Sequence, residues 1–479
     1  MGGPEIEGGE DVKITDLVYL YALLLPFTMS VPTSSAQWST RLGFILAAAG
    51  SAIGLGAIWK FPYWAGVNGG AAFILPYILF TFTAGVVLVM AELALGRSGR
   101  GSAVEAMRRA GGRGFAWCGG MAVLTSFLIL SYYAVVGGWC AAYLAEALMG
   151  EAASPDPEVL KMRFGELVSS GGRNIAWLFA FLAAVCLTAV FGVHRGIERL
   201  STCLMPIFFL LMIGLAAYSL LLPGSEAGLA YLFQFSWSTV TPQAILNAMG
   251  FTFFSLSLGA GVLVTYGAYV NKSTRLPSAA MWVAILALQA AILAGLVIMP
   301  AVFAYGLEPD AGPGLVFITL PMIFAQLSGG SVVAVIFYFC LFVAALTSAV
   351  SLLEVAVAFL QNECRFSRRA AVFLCFAALF ILGSVSALSF GPWSDCLIFG
   401  RSIFDFLDYV CTNFLMTING LAVAFVVGWK AWPKAMKELS TCSPENGVVT
   451  KGTLSAIGFG LRWLAPLMVL ASCWQGLEA

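Results

Sequence analysis

Two glycine-containing stretches interrupt long apolar segments of this chain, and both could bind a small polar solute. They are Gly50-Ser-Ala-Ile-Gly-Leu-Gly56 and Ser255-Leu-Ser-Leu-Gly-Ala-Gly261. Glycine inside a helix costs roughly 1 kcal/mol relative to alanine, so each stretch favours a break. At membrane depth, the N–H and C=O groups that a break frees must be satisfied by protein, ions or solute. Two broken segments in matching places of two halves therefore indicate the central binding site of a membrane transporter.

The composition places most of the chain in a lipid bilayer. Hydrophobic residues make up 60% and charged residues 10% of the sequence, whereas soluble domains average about 25% charged residues. A helix needs about 20 apolar residues to cross the hydrocarbon core. We find about eleven such segments, near residues 41–66, 70–96, 115–149, 175–193, 199–223, 241–270, 279–306, 330–361, 369–389, 398–429 and 453–476.

Other function classes fit the sequence poorly. A net charge of zero argues against a nucleic-acid partner. The loops contain no Ser/His/Asp set, phosphate loop or metal-ligand cluster, so we do not expect an enzyme. The 11 cysteines lack metal-like spacing, which is typical of buried apolar side chains.

Basic residues cluster in alternate loops, which predicts the orientation of the spans. They follow the second, fourth, sixth, eighth and tenth candidate spans, for example at Arg108, Arg195, Lys272, Arg365 and Lys434. We therefore expect a multi-pass protein of the cell (plasma) membrane with a cytoplasmic N-terminus. The sequence leaves the oligomeric state open.

The positions of the two breaks suggest four parts of the chain. Residues 1–37 form an N-terminal tail, of which 1–28 are either a true tail or an extension upstream of a start at Met29. Residues 38–223 form a first five-helix repeat, and 224–429 form a second. An odd number of spans per repeat inverts one repeat relative to the other. Residues 430–479 form a cytoplasmic loop and an eleventh transmembrane helix.

Four motifs resemble the neurotransmitter:sodium symporter family. The longest is Trp38–Tyr63, followed by Asn68-Gly69-Gly70. The others are Glu92–Arg97, Phe253–Gly261 with Thr265-Tyr266, and Leu346–Ser348. The resemblance runs from Trp38 to the last span and implies an all-α, LeuT-type fold with broken helices 1 and 6, in a bacterial-like, eleven-span member. It also implies ion-coupled uptake of an amino acid or a related amine by alternating access.

The family's sodium site between spans one and eight looks complete in this sequence. The resemblance assigns to it the main-chain carbonyls of Gly50, Ile53 and Ala344, with the side-chain oxygens of Thr347 and Ser348. A hard cation prefers such oxygen ligands. The alternative is that both hydroxyls merely bond back to their own helix.

The family's second sodium site, beside the substrate, looks damaged. Ala57 stands where the family has Asn, and Ala287 (or Leu286) stands where it has Asn or Asp. The groups associated with chloride are also missing, since Phe251 and Ala291 replace polar residues. Without a second sodium ion nearby, the negative charge of a bound chloride ion would not be balanced. We therefore expect one sodium ion and no chloride dependence.

The resemblance also locates a pocket for an amino-acid substrate. Amides near Leu55 and Gly56, at the start of a half-helix, would bind its carboxylate, and the Tyr133 hydroxyl would assist them. A small residue at Ala260 leaves room for a bulky aliphatic or aromatic side chain. Ordinary helix packing is the alternative role for Tyr133 and Phe254. The complete set is Ala52, Gly54, Leu55, Gly56, Ile129, Tyr133, Phe254, Ser255, Ser257, Ala260 and Leu352.

Two gates are expected on either side of this pocket. Lys60, where the family usually has Arg, would pair with Asp408 at the outer gate. Trp38 and Tyr269 would close the inner gate by packing. Ser35 and Asn362 stand where the family has a charged pair.

Other interpretations remain open from the sequence. Glu92 is expected to have a structural role, and Glu354 is a candidate proton carrier. Proton-coupled transport, ion-independent transport or exchange on the same fold is the main alternative to sodium coupling. A solute-gated channel or a sensor is a further alternative.

Overall fold

The fold is built from helices in the parts of the chain that the structure describes. The computed structural model describes residues 37–307, 312–440 and 451–478. Apolar stretches with a mean hydropathy of 1.6 to 2.5 form the long helices, because a helix satisfies its own backbone hydrogen bonds without water. In chain order the helices are α1 (Arg41–Ala52), α2 (Leu55–Val67), α3 (Ala71–Gly99), α4 (Ala103–Gly111), α5 (Arg113–Leu148), α6 (Pro157–Ser169), α7 (Gly171–Val190), α8 (Val193–Leu220), α9 (Ser225–Phe233), α10 (Pro242–Ser255), α11 (Val262–Ala268), α12 (Leu276–Ala304), α13 (Leu315–Gln326), α14 (Gly330–Asn362), α15 (Arg368–Leu388), α16 (Ile403–Lys430), α17 (Trp432–Ser440) and α18 (Gly452–Ala471).

The helix lengths confirm an all-α membrane protein. Within the described ranges, nine helices are long and apolar enough to cross a membrane, and the bent α1–α2 pair makes a tenth. The span expected near 241–270 consists of α10 and α11 together. Residues 1–36 of the expected tail and 441–450 of the expected loop lie outside the described residues. The inverted repeat and its boundaries stay predictions.

The first span breaks where its glycines predicted. α1 and α2 are bent by 54° at Ile53 and Gly54. Gly54 has an extended backbone (φ −96°, ψ −177°), and a Cβ atom there would lie 3.2 Å from both the Tyr133 hydroxyl and Ser348 Oγ. The close approach of α5 and α14 to this break therefore favours glycine.

The sixth span also breaks at its predicted stretch, through a left-handed turn. Between α10 and α11, φ is 53° at Ser257, 78° at Gly259 and 75° at Gly261. Glycine adopts this region without steric cost. The Ser257 hydroxyl donates to the Ser51 carbonyl, 3.1 Å away at the end of α1 beside the first break. The two breaks are thus in direct contact.

The helices differ in how deeply they lie in the bundle. In the most apolar window of α14, 67% of the residues are buried within the protein, against 33% to 39% for α7, α8 and α15. The outer three helices therefore present much more apolar surface to lipid. The two breaks lie against the inner helices α5 and α14.

Candidate functional site

A central cavity of about 240 Å³ lies at the two breaks. All the residues predicted for substrate binding line it: Ala52, Gly54, Leu55, Gly56, Ile129, Tyr133, Phe254, Ser255, Ser257, Ala260 and Leu352. The structure therefore brings these residues together from four separate parts of the sequence. Their role in binding stays a prediction.

One end of the cavity is polar. The Tyr133 hydroxyl accepts a hydrogen bond from the Leu55 N–H at 3.1 Å, at the first residue of α2. The Ser51 carbonyl accepts from Ser257 Oγ and from Ser348 Oγ, each at 3.1 Å. The positive end of the α2 dipole also lies here, and it favours an anionic group.

The remaining walls are largely apolar. Ile129, Val136 and Leu352 line one side, and Ala260 lies in the broken sixth span. The Phe254 ring lies so close to Gly56 that a Cβ atom there would overlap it. An apolar cavity with a few polar groups at one end is typical of sites for small amphipathic ligands.

Three of the five predicted sodium ligands lie close together where α1 ends beside α14, and their role stays a prediction. Thr347 Oγ1 lies 3.2 Å from the Gly50 carbonyl oxygen and 3.3 Å from that of Ala344. Thr347 Oγ1 also lies 2.9 Å from the carbonyl oxygen of Val343 in its own helix. The Thr347 hydroxyl has a single proton. When it donates that proton to the Val343 carbonyl, its lone pairs stay available to a cation lying between it and the Gly50 carbonyl. The back-bonding alternative and a cation site are therefore compatible.

The other two predicted ligands, Ile53 and Ser348, lie at the break and on α14. Ser348 follows Thr347 on α14, and Ile53 is fully buried at the break. The set contains neutral carbonyl and hydroxyl oxygens, and no cluster of His, Cys, Asp or Glu suited to a metal occurs among the described residues. Such a set suits Na⁺ better than a transition metal.

An aromatic cluster fills the region where the sequence predicted a lost chloride site. The Phe251 ring centroid lies 5.1 Å from that of Tyr77 and 5.8 Å from those of Phe61 and Phe73. All four rings are buried. The Tyr77 hydroxyl donates to Ser255 Oγ at 3.2 Å. An anion here would lose its hydration and gain few donors.

The replaced positions of the second sodium site are buried as well. Ala57, Ala287 and Ala291 are at most 4% exposed. Their methyl groups offer no ligand to a cation. Ser255 Oγ lies 3.2 Å from the Thr252 carbonyl oxygen, to which it donates while accepting from Tyr77. This hydroxyl is therefore already part of a hydrogen-bonded chain.

Lys60 and Asp408 form the expected pair on one side of the cavity. Lys60 Nζ lies 3.6 Å from Asp408 Oδ2, and the two side chains are 32% and 34% exposed. Lys60 Nζ also lies 4.7 Å from the centre of the Phe254 ring. Beyond this layer lies a second cavity of about 560 Å³, lined in part by Arg401 and Asp405. Lys60 and Phe254 line both cavities and so mark the boundary between them.

Trp38 closes the opposite side through its main chain and its ring. Its N–H donates to the Tyr269 carbonyl at 3.2 Å, and its indole N–H donates to the Tyr266 carbonyl at 3.1 Å. Asn271 Nδ2 donates to the Trp38 carbonyl at 2.9 Å. The start of α1 is thereby fixed to the end of α11, and Trp38 is buried.

Sequence reasoning missed an ion pair at this inner side. Glu354 is fully buried and accepts from Arg368 Nη2 at 2.6 Å and from the Tyr269 hydroxyl at 3.0 Å. The sequence expectation for this gate was limited to packing, because Ser35 and Asn362 are uncharged. The one signal in the sequence is the short distance along the chain from Asn362 to Arg368, which is six residues.

Comparison with known proteins agrees with this geometry. A profile of the Sodium:neurotransmitter symporter family matches residues 35–154 and 156–454. An uncharacterized sodium-dependent transporter of Bacillus subtilis is 36% identical over 91% of this chain and 96% of its own length. A second one, from Haemophilus influenzae, is 34% identical over 90% and 96%. The crystal structure of MhsT in complex with L-phenylalanine superposes with a TM-score of 0.84 at 39% identity, covering 92% of this chain and 100% of that one.

Proposed function

Because the chain belongs to the sodium:neurotransmitter symporter family, we propose that it takes up an amino acid with a hydrophobic side chain, coupled to one sodium ion and independent of chloride. The observation that carries this proposal is the central cavity, which has hydrogen-bonding groups at the start of α2, a mostly apolar lining, and Lys60 and Asp408 at its outer side. We further propose that it works in the plasma membrane, with the N-terminus and the Trp38 side facing the cytoplasm.

The cavity suits the two ends of a hydrophobic amino acid. The carboxylate would lie at the start of α2, near the Leu55 N–H and the Tyr133 hydroxyl, where the helix dipole stabilises negative charge. The side chain would lie against Ile129, Leu352 and Ala260. The complex of MhsT with L-phenylalanine supports this substrate class, because that protein has the same fold at 39% identity.

The sodium ion would be held by Gly50, Ile53, Ala344, Thr347 and Ser348. A cation bound there would hold α1 against α14. Names of the relatives support sodium dependence, and the alanines at the second site support a single ion. The buried aromatic ring of Phe251 supports chloride independence. Alternating access would then consist of opening the Lys60–Asp408 layer and the Trp38 layer in turn.

The proposal is tested by uptake into proteoliposomes of the purified, full-length protein. Labelled leucine, phenylalanine, glycine and γ-aminobutyrate are supplied with sodium or choline outside, and with chloride or gluconate. We expect sodium-dependent uptake of leucine or phenylalanine that rises in proportion to low sodium concentrations and ignores the anion. Uptake that varies with the square of sodium concentration would disprove the single site. Equal uptake in choline, abolished by a proton ionophore, would favour the proton-coupled alternative.

A further inference from the structure

One buried acid lacks the partners that the other buried acids have. Four glutamates are buried among the described residues: Glu92, Glu146, Glu198 and Glu354. Glu146 and Glu354 each bond to an arginine, at 2.8 and 2.6 Å, and Glu198 accepts several hydrogen bonds at the start of α1. Glu92 accepts one, from the Gly259 N–H at 2.8 Å. Its second oxygen, Oε2, has no hydrogen-bond partner among the described residues. The same holds for Oε2 of Glu146, but the other oxygen of that acid is paired with Arg173.

A second unpartnered oxygen faces the same place. Glu92 and Asn419 both line a cavity of about 10 Å³ between α3, α5 and α16, and Asn419 Oδ1 also lacks a partner in the described part of the chain. The Thr125 hydroxyl lies 2.7 Å from the Met121 carbonyl and 3.0 Å from Asn419 Nδ2. Its single proton goes to the carbonyl, so it accepts from the amide. The unpartnered atom of this cavity-lining side chain is therefore its oxygen, which can only accept a hydrogen bond.

Two acceptor oxygens at one small buried cavity need a donor. A carboxylate buried without a cation is strongly disfavoured, and a carboxylic acid would supply the missing O–H. Cys118 is the other titratable side chain among the described residues that line the cavity, and no Lys or Arg is among them. We propose that Glu92 Oε2 takes up a proton from the outside solution before the outer side closes, stays protonated while both sides are closed, and that this proton is transported with the substrate.

The position of Glu92 explains how the proton would be coupled to transport. The bond to Gly259 joins the acid to the break between α10 and α11. The next residue, Ala260, lines the substrate cavity, and its carbonyl accepts from Ser126. When the protein opens to the inside and this break rearranges, Gly259 shifts relative to Glu92, and the acid releases its proton to the inside solution and becomes a carboxylate. In this chain, alanines replace the side-chain ligands of the family's second sodium ion. The proton would be the second ion coupled to substrate transport in its place.

Infrared spectroscopy tests the proton directly, without any assumption about the substrate. The purified protein at neutral pH is compared with Glu92→Gln, which keeps an oxygen acceptor for Gly259 and cannot ionise. Glu146→Gln is the matched control, because that buried carboxylate is paired with Arg173. We expect the C=O stretch of a protonated acid in the wild type and in the control, and its loss in Glu92→Gln. An unchanged band in Glu92→Gln, or no band in the wild type, would overturn the proposal.

Transport tests the coupling, and this part rests on the proposed function. Proteoliposomes containing pyranine are supplied with leucine or phenylalanine under a sodium gradient and a clamped membrane potential. We expect the lumen to acidify with uptake, and the acidification per amino acid to be lost in Glu92→Gln but not in Glu146→Gln. Sodium-dependent uptake without acidification would overturn the proton coupling and leave the sodium symporter standing. Absence of any uptake would overturn the proposed function, while the infrared band would still decide whether Glu92 is protonated.

Discussion

The Tyr133 hydroxyl provides a quantitative test of where the substrate carboxylate binds. It accepts from the Leu55 N–H at 3.1 Å and also contacts the Ser348 hydroxyl, and we expect it to donate its own proton to a carboxylate bound in the cavity. A hydrogen bond to a charged group contributes about 1.5–3 kcal/mol. Since 1.4 kcal/mol is a factor of ten in affinity, Tyr133→Phe should weaken binding of leucine or phenylalanine about 10- to 150-fold.

Titration calorimetry of the purified protein in saturating sodium measures this effect. Tyr143→Phe is the control, because it removes the same atom from the same helix. Its hydroxyl donates to the Phe317 carbonyl at 3.0 Å and does not line the central cavity. The control should lose some stability and keep its affinity. If Tyr133→Phe binds as tightly as the wild type, the carboxylate does not lie at the start of α2.

Three further changes have expected outcomes. Replacing Thr347 and Ser348 together by alanine should raise the sodium concentration that half-saturates uptake at least tenfold, because two ligand oxygens are lost; unchanged sodium dependence in flux assays would place the ion elsewhere. Arg368→Met should cost about 3–5 kcal/mol because it leaves Glu354 charged and buried, and adding Glu354→Gln should restore much of the thermal stability; a double variant as unstable as the single one would contradict this. Ala260→Phe should reduce phenylalanine uptake more than glycine uptake, since a ring would fill the apolar end of the cavity, and competition between the two labelled amino acids measures this.

The sequence predicted the helical fold and both breaks because each leaves a local signal. Gly50, Gly54 and Gly56 interrupt one apolar stretch, and Gly259 and Gly261 interrupt another. A Cβ atom at any of these five positions would lie within 3.3 Å of a neighbouring atom. Several such glycines in one short apolar stretch are visible in the sequence without an alignment. The same holds for the apolar lengths of the spans, which the bilayer thickness sets.

Side-chain contacts between helices left a much weaker signal. Glu354 and Arg368 are close in sequence, yet their pairing depends on where α14 ends and where α15 begins. Tyr269, the residue that follows α11, adds a hydrogen bond to Glu354. Glu92 was expected to be structural, and its bond to Gly259 agrees with that, but the unpartnered Oε2 depends on Asn419 far along the chain. Burial and orientation decide these roles, and neither can be read from residue type.

The two sides of the central cavity are held with unequal strength. The Lys60–Asp408 pair is about one-third exposed on each side chain, and exposed pairs contribute roughly 0–1 kcal/mol. On the other side, the Trp38 hydrogen bonds join α1 to the end of α11, and the Tyr269 hydroxyl joins that end to α14 by donating to the buried Glu354 at 3.0 Å. A hydrogen bond to a charged group contributes about 1.5–3 kcal/mol. Opening toward the Trp38 side therefore requires more free energy than opening toward the Lys60 side. Under the proposed function, the substrate-free protein should rest open to the outside, where sodium and the amino acid enter.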